Sequence, residues 1–263
     1  MRQYVVDAFA DRVFQGNPAA VCPMESWPGD KLMLQIAREN CLPATAFLVR
    51  EGADWGLRWF GPGGEMDLCG HATLAAAYVV FTRLRREEQQ VTFHTKGGPL
   101  TVRRRGELLE MDFPAYHLKP LEVTDQIVDA LGARPKEVWR ARDLVCVFDR
   151  PEEVTGLKPD LDKVRALKGA LLQVTAPGTG TEYDCVTRTF SPKMGLPEDP
   201  VCGSGHCHVV PFWAGRLGKK KLVARQASPR GGTLYCTMEG ERVFLAGRAV
   251  LWSRAEVMVE ELL

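Results

Sequence analysis

Two cysteines stand in matching surroundings, Asp67-Leu68-Cys69-Gly70-His71 and Asp199-Pro200-Val201-Cys202-Gly203-Ser204. Each is followed by glycine and then by an apolar stretch, which places each sulfur at the start of a helix. Unpaired backbone N–H groups and the positive end of the helix dipole favour an anion at such a place. They can bring a thiol below its usual pKa of about 8.5, and they can hold a carboxylate. Two such thiols suit one reaction above others. One thiolate takes a proton from the carbon next to a substrate carboxylate, and the other thiol returns a proton to the opposite face. The carboxylate-enolate dianion formed on the way needs donors already aimed at it, which two helix ends supply without any cofactor. For either cysteine alone, a buried structural thiol is the commoner reading; it is their recurrence in equivalent surroundings that favours chemistry.

The recurrence extends well beyond the cysteines. Arg58-Trp59-Phe60-Gly61-Pro62 returns 130 residues later as Arg188-Thr189-Phe190-Ser191-Pro192, and the Cys-Gly pairs are 133 apart. Arg83-Leu84 matches Arg216-Leu217 at the same offset. Lys96-Gly97-Gly98-Pro99-Leu100 and Gly106-Glu107 match Arg230-Gly231-Gly232-Thr233-Leu234 and Gly240-Glu241 at 134. Five matches in one order and at a nearly constant offset indicate two homologous halves, 1–115 and 116–263.

Of the elements that carry these motifs, 70–84 and 203–217 are apolar on nearly every side, as expected of helices enclosed by a sheet. Pro211 is expected to kink or interrupt the second. Short strands are predicted at 91–94, 100–103, 108–112, 172–175, 222–225, 234–238 and 243–246. Amphipathic helices are predicted at 30–40, 124–131 and 161–167, with Asp30 and Thr124 as caps of the first two. The fold class is α+β: two pseudo-symmetric halves, each a barrel-like antiparallel sheet around one central helix. If the halves pack face to face, the two helix starts converge on one cleft.

Composition narrows the partners. The 263 residues carry 34 Lys+Arg against 33 Asp+Glu, a net charge of +1, so no global field steers the chain to nucleic acid or anionic lipid. No apolar run reaches the ~18–20 residues needed to span a bilayer. Met1–Phe9 lacks a signal-peptide layout, and a cytoplasmic location is expected. The eight cysteines contain no CxxC. Cys202, His206, Cys207 and His208 do not follow zinc-site spacing, so no metal is expected. A cysteine hydrolase using Cys202 is disfavoured because no local nucleophile signature accompanies it.

Gly16-Asn17-Pro18-Ala19-Ala20-Val21, Arg58-Trp59-Phe60, Leu68-Cys69-Gly70-His71-Ala72-Thr73, Tyr183-Asp184 and Glu198-Asp199-Pro200-Val201 with Gly203-Ser204 occur in that order along nearly the whole chain. Together they resemble the PhzF-like, phenazine-biosynthesis family. The resemblance implies the diaminopimelate epimerase-like fold and a small-molecule carboxylate substrate. It further implies substrate-orienting roles for His71, Asp199 and Ser204, with Asn17, Gly70 and Gly203 as further donors. A homodimer is compatible with it, although no segment identifies an interface. Two departures stand out. The family's isomerases carry a proton-shuttling glutamate where Cys41-Leu42-Pro43-Ala44-Thr45-Ala46-Phe47 has Ala44, and Cys202 replaces the usual threonine before Gly-Ser. A lost carboxylate and a gained thiol favour a two-cysteine racemase or epimerase with catalytic Cys69 and Cys202. The alternatives are a PhzF-type isomerase using another base, such as Asp199, and a binding protein without catalysis.

Overall fold

Apolar runs of seven or eight residues, each closed by a turn, form the first strands: β1 (Arg2–Ala8), β2 (Asn17–Met24), β3 (Ala44–Glu51) and β4 (Asp54–Gly61). β1 and β2 are antiparallel, whereas β2 and β3 are parallel. A parallel pair needs a crossover, and α1 (Asp30–Asn40) supplies it. Its Leu32, Met33, Ile36 and Ala37 form one apolar face against Phe47 and Phe60. The cap at its start is Gly29 rather than Asp30, and the Asp30 carboxylate pairs with Arg58 instead. β4 turns back into the short β5 (Gly64–Met66), from which α2 (Gly70–Val79) crosses to β6 (Gln90–Thr95), parallel to β4. β7 (Gly98–Arg105) and β8 (Leu108–Pro114) follow in antiparallel order. Every α2 residue from His71 to Ala77 is buried, and the helix widens into a π turn at Val80–Leu84.

The same plan recurs in the second half. β9 (Lys119–Leu121) and α3 (Asp125–Leu131) lead to β10 (Glu137–Arg140) and β11 (Leu144–Val147). Thr124 caps α3 by accepting from the Ile127 N–H at 3.4 Å. Two short helices, α4 (Pro151–Gly156) and α5 (Leu161–Ala166), make the crossover to β12 (Leu172–Pro177), parallel to β11. β13 (Cys185–Phe190) turns back into β14 (Glu198–Asp199), and α6 (Gly203–Leu217) crosses to β15 (Lys221–Gln226), parallel to β13. β16 (Gly232–Glu239) and β17 (Arg242–Gly247) follow. The sequence repeat is thus a repeat of pairing pattern. The pairing within each unit is mixed rather than antiparallel throughout, because the crossover helices make two parallel joints in each.

The computed structural model describes residues 1–259. One unit comprises Met1–Asp112 with the described part of the C-terminal segment, 246–259, and the other is Phe113–Leu245. The sequence division places 246–259 in the second half. In the structure β18 (Ala249–Glu256) runs antiparallel along β1, from Arg2↔Glu256 to Ala8↔Ala249. The last matched motif, Gly240-Glu241, precedes this segment, so the repeat carries no information about where it pairs.

The two RxFxP arginines hold equivalent turns. In each unit the phenylalanine pairs in register with a glutamate of the return strand, Phe60 with Glu65 and Phe190 with Glu198. Arg58 Nε meets Glu65 at 2.7 Å and its Nη1 meets Asp30 at 2.9 Å. Arg188 grips both oxygens of Glu198 at 2.8 and 2.9 Å and donates to the carbonyls of Val154, Thr155 and Leu157. Each arginine therefore fixes the hairpin that hands the chain to a cysteine.

α6 runs without interruption through Pro211. Proline has no N–H for the Cys207 carbonyl one turn back. That carbonyl accepts instead from the Tyr116 N–H at 3.0 Å, so the chain following β8 fills the gap the proline leaves. The bond offsets the break that the sequence predicts.

Enclosure also sets the state of two histidines. Burial pushes the His71 imidazole down to about 3 and the His206 imidazole to about 4, the latter despite its bond to the Cys202 carbonyl.

Two stability predictions follow from these placements. Arg188→Met leaves Glu198 and three carbonyls unpaired in a buried setting and is expected to cost about 3 kcal/mol or more. Arg58→Met, at a more exposed pair, is expected to cost about 1 kcal/mol or less. Urea unfolding measures both, and equal losses would contradict the difference in burial. Below pH ~6.5 the unfolded chain protonates histidines that the fold keeps neutral, so stability falls as the pH drops from ~6.5 towards 4. The unfolding free energy of His71→Gln/His206→Gln is expected to decline less steeply across pH 7 to 5; an unchanged slope would contradict the assignment.

Candidate active site

In the first unit Cys69 is the residue that precedes α2, with φ −144° and ψ 96°, and it is 3% exposed. Its carbonyl accepts from the Thr73 N–H and hydroxyl at 3.0 and 2.7 Å, which anchors the first turn. Its sulfur lies 3.6 Å from His71 Nδ1 and 3.9 Å from Nε2. The imidazole, held neutral by burial, can accept from a thiol or donate to a thiolate through either nitrogen. Gly70 opens the helix, and Asn17, fully buried, begins β2 opposite Ala8. Ala44 begins β3 opposite Ala19 and is fully buried. Its neighbour Thr45 accepts from Asn40 Nδ2 at 3.0 Å, and Asn40 is held in turn by Gln3. No carboxylate stands at that position.

In the second unit Cys202 holds the equivalent place before α6, with φ −100° and ψ 100°, and is likewise 3% exposed. Gln226 clamps the approach: its Oε1 accepts from the Cys202 N–H at 2.9 Å while its Nε2 donates to the Asp199 carbonyl at 2.7 Å. The Cys202 sulfur accepts from the Gly205 N–H at 3.3 Å and lies 3.4 Å from Ser204 Oγ. Asp199 ends β14 three residues before the thiol, and Gly203 opens the helix. His206 donates through Nδ1 to the Cys202 carbonyl at 2.7 Å.

The thiol at this helix start is not lowered as expected. Burial, reinforced by the Asp199 carboxylate, pushes Cys202 well above its ordinary value, against the pull of Ser204 and the Gly205 N–H. One helix-end donor does reach the sulfur, but desolvation outweighs it. Cys202 therefore rests as a thiol.

Around it lies a network that the sequence reading missed. Arg142 Nε and Nη2 fork onto the fully buried Asp143 carboxylate at 2.9 and 3.0 Å, and Nη2 also reaches Ser204 Oγ at 2.9 Å. Gln173 Nε2 donates to Asp143 at 3.1 Å and its Oε1 accepts from Thr189 at 2.6 Å. Its amide lies so close to Gly205 that a Cβ there would come within 2.5 Å of it. The Asp143 N–H donates to His208 Nε2 at 3.3 Å, so Nδ1 carries the hydrogen and donates to the Ser204 carbonyl at 3.0 Å. Tyr116 stacks on His208 with ring centroids 4.2 Å apart. Arg142-Asp143 has no counterpart among the repeated motifs, and only the path of β11 and β12 brings it to Ser204.

Among the described residues, no helix is long and apolar enough to cross a membrane. The sequence matches the phenazine biosynthesis-like (PhzC-PhzF) protein family over residues 6–255. It is 45% identical over 249 residues to an uncharacterized isomerase of Pseudomonas aeruginosa, covering 95% of each chain. A crystal structure of a PhzF-family phenazine biosynthesis protein from Enterococcus faecalis superposes with a TM-score of 0.95 at 43% identity, over 97% of this chain and 98% of that one. A probable proline racemase from Agrobacterium radiobacter shares the fold alone, with a TM-score of 0.65 at 12% identity over 98% and 93% of the two chains. A diaminopimelate epimerase-like α+β fold, repeated in pattern and carrying a polar centre at each helix start, agrees with these likenesses: the chain belongs to the phenazine biosynthesis-like PhzC-PhzF family.

Proposed function

We propose that this protein is a cofactor-independent isomerase that moves a proton at the carbon next to the carboxylate of a small, amino-acid-like substrate. In this reading Cys69 and Cys202 alternate as base and acid. The observation that carries it is the equivalence of the two sulfurs. Each belongs to the residue preceding the enclosed helix of its own unit, each is delivered by a short return strand from an arginine-pinned hairpin, and each is 3% exposed. The naming of close relatives as isomerases supports the reaction class, and the shared fold of a probable proline racemase supports its stereochemical form.

In the reaction the Cys69 thiolate takes the α-proton and the carbon's electron pair passes into the carboxylate, which becomes the enolate dianion. First-turn N–H groups at Gly70 and Gly203 are assigned to the carboxylate oxygens, where charge grows. The Cys202 thiol then gives its proton to the opposite face. Its high proton affinity at rest suits an acid, and the reverse direction exchanges the roles. Neutral His71 is assigned to the proton at Cys69. Asn17, Asp199 and Ser204 are assigned to orienting the substrate's polar groups. With Ala44 on β3, no side-chain carboxylate is available there to shuttle a proton, which favours thiol chemistry over the glutamate route. All eight cysteines are free thiols, in keeping with a reducing, cytoplasmic setting.

The test is deuterium uptake at the α-carbon of pooled amino acids incubated in heavy water, read by mass spectrometry. Wild type is expected to label at least one component. Cys69→Ser and Cys202→Ser are each expected to lose 10²-fold or more of the rate, and the double variant all of it. Full exchange by the double variant, or retained activity in Cys202→Thr, would overturn the two-thiol mechanism and favour another base.

A further inference from the structure

Arg142 is 34% exposed at its side chain yet spends its hydrogen bonds inward, on a carboxylate that is fully buried and on one hydroxyl. A guanidinium only donates. Ser204 Oγ must therefore accept at its 2.9 Å contact with Arg142 Nη2. Its single hydrogen is then free to point elsewhere, and the other partner of Oγ is the Cys202 sulfur at 3.4 Å. A thiolate has no hydrogen to give, so once Cys202 is ionised the hydroxyl is the donor of that contact and the sulfur the acceptor. With the Gly205 N–H at 3.3 Å, a thiolate at this sulfur would receive two hydrogen bonds.

We propose that Arg142 is a positioning residue: held by Asp143, it turns the Ser204 hydroxyl onto the Cys202 sulfur and so favours the thiolate that the base half of the reaction requires. The inference rests on the reading of Cys202 as a proton carrier.

The charged groups around the sulfur make the same point. The carboxylates of Asp199 and Asp143 both oppose a negative charge on Cys202, and Arg142 is a cation whose charge attracts it. His206, neutral and bonded to the Cys202 carbonyl, adds no charge. The remaining members of the network fix the arginine. Gln173 holds Asp143 from one side, and Asp143 receives Arg142 through two parallel bonds, a geometry that lysine cannot reproduce.

Alkylation of Cys202 by iodoacetamide at pH 8, followed peptide by peptide in the mass spectrometer, reads the thiolate directly and requires no substrate. Exposed Cys41 serves as internal reference. Arg142→Met and Ser204→Ala are each expected to slow labelling of Cys202 by about tenfold, the worth of one charge-assisted hydrogen bond. The double variant should be no slower than the slower single one, because both changes break the same contact. Arg142→Lys, which can still donate to Ser204, should recover part of the rate. An unchanged rate in Arg142→Met, including one accompanied by a lower melting temperature, would overturn the proposal by showing a purely structural role. A multiplicative, hundredfold loss in the double variant would overturn it as well. Because turnover is not measured, the two failures are distinguishable: an unchanged labelling rate overturns the role of Arg142 alone, whereas lost exchange chemistry with slowed labelling keeps the contact and removes its catalytic purpose.

Discussion

An apolar helix closed inside a sheet has polarity it cannot hide at its two ends, and at the first turn it takes the form of N–H groups that find no carbonyl within the helix. α2 and α6 are both of this kind, and Cys69 and Cys202 stand directly before their first turns. Burial excludes water there, so a sulfur at the helix start feels few partners, each at short range. The same exclusion works against the anion. At Cys202 it outweighs the helix-end donor and raises the proton affinity of the thiol.

The arginine-held hairpins follow from this arrangement. A helix start is useful only if the residue before it is fixed, and Arg58 and Arg188 fix it by tying each return strand to the strand before it. The second unit is the more tightly bound of the two. Arg188 reaches three backbone carbonyls as well as Glu198, Gln226 clamps the chain on both sides of the turn, and Tyr116 supplies the bond that Pro211 withholds from α6. Tyr116 also stacks on His208, so the bond that compensates for the proline meets the same network that reaches Ser204.

Much of this was legible in the sequence because it is periodic or repeated. The enclosed helices show as runs with no polar face, and the cysteines, arginines and glycine turns show as pairs at a constant offset. What stayed hidden is set by pairing at a distance. The parallel joints β2–β3 and β11–β12 leave no mark in either strand, since direction depends on the crossover between them. The return of β18 to β1 falls after the last repeated motif. Pro211 predicts a break in α6 that does not occur, because its remedy, the Tyr116 N–H, lies nearly a hundred residues earlier in the chain. Arg142-Asp143 looks like an ordinary charged turn until β11 and β12 carry it to Ser204. Asp30 has the residue type of a cap, but Arg58 on β4 gives its carboxylate a different partner.

The central claim is that two thiols, one from each repeat, handle the proton on opposite faces of one carbon. The most direct measurement follows a single enantiomer of a responsive substrate in heavy water at the earliest times, separating the two enantiomers before mass analysis. The account predicts deuterium in the inverted product alone, with the remaining starting enantiomer still carrying its original hydrogen, because the acid that delivers the new hydrogen is not the base that removed the old one. Equal labelling of both enantiomers, or a product that retains the substrate's own hydrogen, would mean that one group does both tasks and would contradict it.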